Sequence, residues 1–196
     1  MTARPLTDAE IKAIMESFDG PYAARNRGLL GLGLRCGGRV SAVLALHVGD
    51  LIVHGRFVAR INFRRSTVKG KKAGYSLPLH PAAKWAVGRW LVIYRRMMGG
   101  KLDVRLPLFP ARTGRLLKPL SRCQAWRIIS DAADHCRLDP GISPHSWRKS
   151  LASRLFKATK SILVVKQILN HRHISTTVAY LNFALAEEAE SALMRT

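Results

Sequence analysis

At 196 residues and 47% apolar content, the chain is long enough to bury a sizeable core as one domain and too apolar to stay disordered. Lys and Arg number 33 against 12 Asp and Glu, a formal charge of +21; a compact body tolerates that self-repulsion best beside a polyanion, so nucleic acid leads as partner over an anionic membrane surface. No run of about 18 apolar residues appears, and the start "MTARPLTDAEIKAIM" lacks the basic-then-apolar layout of a secretory signal, so the chain reads as soluble and cytoplasmic, with no membrane partner.

The elements follow in chain order. Thr7 with Glu10 three residues later is a capping box, and Ile11, Ile14, Met15 and Phe18 recur at helical spacing until Gly20-Pro21 stops the helix. Further helices are predicted from about Tyr22 to Leu34 and from about Val40 to Leu46. Then the period changes. In "FVARINFRR", Phe57, Ala59, Ile61 and Phe63 alternate with Val58, Arg60, Asn62 and Arg64, as in a half-buried strand. With "DLIV" before it and "YSLPL" after it, separated by His54-Gly55 and "KGKKAG", it predicts one small antiparallel sheet. Pro81 opens a long helix carrying Trp85, Val87, Trp90, Leu91 and Tyr94, which Gly99-Gly100 ends. Helices return from about Ser121 to Leu138, from near His145, and from about Ser161 to Leu169. A short one is predicted near Thr176 and a last one from about Phe183. No repeat or linker interrupts this order, so residues 1–196 read as a single domain, mixed α/β and mainly helical with a small antiparallel sheet.

Charge is unevenly spread. Between His54 and Pro119 stand sixteen Lys and Arg and a single acid, Asp103, whereas the stretch after Tyr180 holds Glu187, Glu188 and Glu190 against Arg195. A sheet and its flanking helix so basic read as a nucleic-acid contact face. Cys36, Cys123 and Cys136 are too few and too irregular for a disulfide framework or a zinc site, so no metal is expected.

The residues that carry chemistry lie outside that hairpin as well as in it. "PHSWRKS" sets His145 and Arg148 three apart, on one face of a helix. "CGGRVSAVLALHVGDL" sets Arg39 at a helix start after a Gly-Gly turn, and "QILNHRHISTTVAYLNF" sets Tyr180 nine residues after His171. Two arginines, two histidines, a hairpin lysine and a tyrosine are the kit for phosphoryl transfer without metal. Tyrosine supplies a nucleophile, arginines neutralise charge on the non-bridging oxygens, and histidine or lysine moves protons.

At these positions the sequence resembles the tyrosine recombinase (phage integrase) family, whose catalytic domain carries Arg, Lys, His-x-x-Arg, His or Trp, and Tyr in that order. "GGRVSAVLALHVGDL" is similar to the family's first arginine box, with Arg39 as the arginine and Asp50 eleven residues on. "HSWR" matches His-x-x-Arg, and "ILNHRHISTTVAY" matches the box that ends in the nucleophile. "LTDAEIKAI" resembles the first catalytic-domain helix. Four departures stand out: Ala42 replaces an acidic residue, Asn170 a glycine, Lys149 a frequent histidine, and no sequence like the usual N-terminal helical domain precedes the match. The last of these resembles the layout of fimbrial phase-variation invertases, or a catalytic fragment.

The resemblance implies site-specific strand exchange on double-stranded DNA through a 3′-phosphotyrosyl intermediate, with no cofactor. Tyr180 would be the nucleophile and Arg39, Arg148 and His171 the transition-state stabilisers. His145 would take the nucleophile's proton, and Lys69, or Lys71 in the other hairpin register, would protonate the leaving 5′-oxygen. It also implies a tetramer on DNA, assembled from monomers or weak oligomers in a nucleoid-associated setting. A type IB topoisomerase-like relaxing enzyme and a catalytically silent DNA-binding protein are the alternatives. In the tail, 181–196, Leu181, Leu185, Ala189 and Leu193 recur every four residues as one apolar stripe. That stripe is expected to pass to a neighbouring protomer or to dock on its own core.

Overall fold

The first helix forms where its start is chemically marked. The Glu10 backbone N–H donates to Thr7 Oγ1 and the Glu10 carboxylate accepts from the Thr7 N–H, closing the capping box that begins α1 (Asp8–Ser17). The computed structural model describes residues 3–64, 74–112 and 116–194. Helix α2 (Ala23–Cys36) is buried along most of its length and packs against α4 (Pro81–Met97) and α6 (Pro144–Thr159). Gly33 permits the α6 contact, since a Cβ there would stand 2.4 Å from the Trp147 ring. The helix runs to Cys36 rather than Leu34, because its stop is Gly37 in the left-handed region at φ 62°, whose N–H returns to the Gly33 carbonyl.

Arg39 caps the short α3 (Val40–Leu44), after which a single 3₁₀ turn, Val48–Asp50, leads into the strands. Here the sequence reading needs correction. Instead of one sheet there are two two-stranded antiparallel ladders, β1 (Ile52–Val53) with β2 (Arg56–Phe57), and β3 (Arg60–Phe63) with β4 (Tyr75–Pro78). His54 and Gly55 both take positive φ, as a two-residue hairpin turn requires. The expected single strand "FVARINFRR" divides at Val58–Ala59, where pairing changes partner: the Val58 N–H donates to the Leu51 carbonyl beside β1, and the Ala59 carbonyl accepts from the Leu79 N–H beside β4. Alternation survives beyond the break: Ile61 and Phe63 are buried and Arg60 and Asn62 exposed.

Ser121 and Ser143 cap α5 (Arg122–His135) and α6, and Ser161 caps α7 (Ile162–Ile168). The second correction concerns the end of the chain, where one helix, α8 (Ile174–Leu193), replaces the expected short helix and separate last helix. No glycine or proline lies between Ile174 and Leu193, and Ala, Leu and Glu carry the helix through Asn182 and Phe183. Two apolar clusters result. The large one gathers α1 to α5 and the start of α6 around Trp90 and Trp147; the small one gathers Ala152, Phe156, Val165, Leu169 and Leu181 from α6, α7 and α8. Among the described residues no helix is long and apolar enough to cross a membrane.

Candidate active site

The site is built where the two clusters meet. The Gly37-Gly38 turn does two jobs at once: it sets the half-buried Arg39 at the head of α3, and its carbonyls hold α6. The Gly38 carbonyl accepts from Trp147 Nε1 at 3.1 Å, and the Gly37 carbonyl accepts from Arg148 Nη1. Side chains cannot replace these glycines cheaply. A Cβ at Gly37 would stand 2.5 Å from Leu151, and one at Gly38 2.8 Å from Val43. Arg148 Nη2 donates to the Leu169 carbonyl at the end of α7. The buried guanidinium therefore ties the α2–α3 turn to the segment that delivers His171, while its Nε has no partner among the described residues.

Asn170 sits at φ 50°, a left-handed conformation that asparagine tolerates better than other non-glycine residues, and it turns the chain so that the His171 N–H reaches the Lys166 carbonyl at 3.0 Å. His171 is buried, and its Nδ1 lies 3.0 Å from Oγ1 of buried Thr177. Tyr180, one turn further along α8, hydrogen-bonds through its hydroxyl to His145 Nε2. The His171 and Tyr180 rings stand edge to face with centroids 4.8 Å apart, and Arg148 Cζ and Lys149 Nζ each lie 5.9 Å from the Tyr180 ring centroid.

Electrostatics fix the protonation states. Burial pushes His171 down to about 4, reinforced by Arg148, Arg39, His145 and Lys166, so it is neutral at pH 7. His145 keeps an open edge to solvent, yet the protein crowding it lowers its pKa, helped by Arg148, Lys149 and Arg39. A neutral His145 can accept the proton of the hydroxyl it touches. Burial also lowers the pKa of Lys149. A cavity of about 940 Å³ between α1, α2 and α4 is lined by none of these catalytic candidates.

Of the six residues singled out in the sequence, His145, Arg148, His171 and Tyr180 are in mutual contact or close to it, and Arg39 is near enough to lower the pKa of both histidines. Lys69, with its alternative Lys71, lies outside the described residues. Sequence reasoning missed Thr177 as the partner of His171, and it missed the Gly37 and Leu169 carbonyls as the anchors of Arg148. The threonine pair before Tyr180 was the visible signal for the first. Nothing in a sequence marks a backbone carbonyl for the second.

A mainly helical domain with two small antiparallel ladders and this arginine, histidine and tyrosine cluster is a tyrosine recombinase catalytic domain in fold. The description "Phage integrase family" matches residues 4–187, and the chain belongs to that family. It is 34% identical over 188 residues to the tyrosine recombinase XerD of Mycobacterium leprae (strain TN), a match covering 90% of this chain and 56% of XerD. It is 33% identical over 180 residues to the type 1 fimbriae regulatory protein FimE of Escherichia coli (strain K12), covering 90% of this chain and 84% of FimE. The chain thus spans about half the length of the XerD relative. Among solved structures it is similar in fold to the XerA recombinase, with a TM-score of 0.73 at 19% identity over 98% of this chain and 66% of XerA. It is likewise similar to XerH bound to its difH substrate after cleavage, with a TM-score of 0.70 at 21% identity over 98% of this chain and 53% of XerH.

Proposed function

We propose that the protein is a site-specific DNA recombinase that cleaves and rejoins double-stranded DNA through a 3′-phosphotyrosyl intermediate. The observation that carries this reading is the hydrogen bond of the Tyr180 hydroxyl to His145 Nε2 beside Arg148 and His171. The Tyr180 oxygen attacks the scissile phosphorus while His145 takes its proton. The new P–O(Tyr) bond forms as the P–O5′ bond breaks, and Lys69 protonates the leaving oxygen. Arg39, Arg148 through its Nε–H, which has no partner among the described residues, and His171 neutralise the charge that grows on the non-bridging oxygens. Attack by a partner strand's 5′-hydroxyl reverses these steps, and the phosphotyrosyl bond conserves the energy for it, so no nucleotide is consumed.

The partner is DNA, met through the basic stretch from His54 to Pro119, and strand exchange joins four protomers on two duplexes. In this reading the tail, 181–196, contributes to that assembly by docking on a neighbour. The test uses a nicked suicide duplex carrying the junction sequence of the host element. A detergent-stable protein–DNA adduct is expected, with recombinant product when two such sites are present. Relaxation of a supercoiled plasmid lacking the site, with no recombinant, supports the topoisomerase reading instead. Retention of DNA with no adduct on any substrate leaves a binding protein.

A further inference from the structure

The contact between His171 and Thr177 decides more than the placement of two side chains. Nδ1 of His171 and Oγ1 of Thr177 are 3.0 Å apart, and both residues are buried, Thr177 completely. Each is held independently of the other. The His171 backbone is fixed by its bond to the Lys166 carbonyl and by the left-handed Asn170 before it. Thr177 lies in the first turns of α8, one turn before Leu181, which is locked in the small apolar cluster.

A neutral imidazole carries one N–H, so one ring nitrogen donates and the other accepts. Burial and the flanking cations keep His171 neutral near pH 7. Two arrangements then satisfy the contact. Either the Thr177 O–H donates to Nδ1 and the ring proton sits on Nε2, or Nδ1–H donates to Thr177 and Nε2 offers a lone pair. The choice matters because the ring faces a site built for an anion, with Arg39 and Arg148 beside it. A lone pair there would repel a phosphate oxygen, whereas an N–H would bind it. A hydroxyl is free to rotate into the donor role, and the partner of one ring nitrogen sets the proton on the other.

We infer that Thr177 is a positioning residue whose hydroxyl donates to His171 Nδ1, keeping the ring proton on Nε2 where it can donate to the scissile phosphate. The phosphate in this statement rests on the recombinase reading; the tautomer does not. Thr176 supplies the control, since it is adjacent in sequence and exposed.

The experiment reads the tautomer directly in the DNA-free chain. Histidine ¹⁵N labelling with long-range ¹H–¹⁵N correlation near neutral pH, with His171 assigned by the signal lost in His171→Gln, is expected to show the proton on Nε2. Thr177→Val keeps the shape and removes the donor. It should shift His171 toward the Nδ1–H form and slow suicide-duplex cleavage by about 10–100-fold, by analogy with metal-bound imidazoles that lose their outer hydrogen-bond partner, with DNA affinity unchanged. Thr177→Ser should retain both the tautomer and the rate, and Thr176→Val should resemble the unaltered chain. A proton on Nδ1 in the unaltered chain, or an unchanged tautomer in Thr177→Val, overturns the proposal, as does a switched tautomer with undiminished cleavage. If the unaltered chain never cleaves while the tautomer switch is intact, the recombinase reading falls and the hydrogen-bond assignment stands.

Discussion

The two apolar clusters hold different parts of one site with unequal means. Arg39 stands at the head of α3, on a large core that draws on six helices and both ladders. His171 and Tyr180 ride on the end of α7 and on α8, whose buried apolar support among the described residues is Ala152, Phe156, Val165, Leu169 and Leu181. In the proposed reading the better-supported half would meet phosphate and the less-supported half would bring the nucleophile. Arg148 bridges them, with one nitrogen on the Gly37 carbonyl and another on that of Leu169.

The largest effect expected from a single atom comes from Tyr180→Phe. It removes the nucleophilic oxygen and the bond to His145 while leaving the ring against His171 and the small cluster. Adduct formation on a suicide duplex should vanish, with DNA binding and melting temperature nearly unchanged. Trapping by the phenylalanine variant would falsify the assignment of the nucleophile.

The two arginines sharpen the comparison, because the bridge predicts that they differ. Arg39→Ala and Arg148→Ala should each slow cleavage by about 10²-fold or more, as loss of a charge-stabilising donor does. Only Arg148→Ala should also destabilise the fold. It leaves the carbonyls of Gly37 and Leu169 without their donor in a buried place, at about 1–3 kcal/mol for each unsatisfied group. Calorimetry on the free protein separates them, and equal melting temperatures for the two variants would remove Arg148 from its bridging role.

A smaller effect follows from pH. His171 in the fold titrates at about 4, against an ordinary value of 6.5. The unfolded chain therefore binds a proton between those values that the native chain refuses, and stability falls as pH drops from about 6.5 toward 4. The slope from this one group is at most about 1.4 kcal/mol per pH unit. His145 is shifted in the same direction and adds to it. His171→Gln should flatten the dependence of melting temperature on pH in that window, and an unchanged slope would mean that His171 titrates normally.

How far the sequence disclosed all this depended on the kind of signal. The first cap was legible because it is local: Thr7 with Glu10 closes its box within four residues. Arg39, His145, Arg148, His171 and Tyr180 were legible as side chains at characteristic intervals, and all five lie at one site. The break between β2 and β3 was not, since Val58 and Ala59 suit a strand and the interruption comes from a change of pairing partner, from β1 to β4. Nor was the continuity of α8, because the change of role after Asn182 looked like a change of structure. The double use of Arg148 was the least legible feature, as both of its partners are backbone carbonyls from distant segments.

The smallest effect on cleavage should come from the rear of α8, and it tests where the less-supported half ends. Leu181 is fully buried in the small cluster and Leu185 packs against it, but Ala189 is exposed, Leu193 is 73% exposed and Met194 86%. The expected stripe is therefore covered by its own domain at the front and turned to solvent at the rear. Isolated helical segments of this length are marginal in water. Docking on a neighbouring protomer would cover the rear leucine and methionine. Truncation after Asn182 keeps Thr177, Tyr180 and Leu181 and should leave suicide-duplex cleavage within a few-fold, since Leu185, half-buried against the small cluster, contributes about 1–2 kcal/mol. Assembly of the four-protomer complex and recombinant product should disappear. Normal recombination by the truncated chain would show that the tail does not dock on a neighbour, and loss of cleavage together with solubility would show that it is needed to hold its own domain.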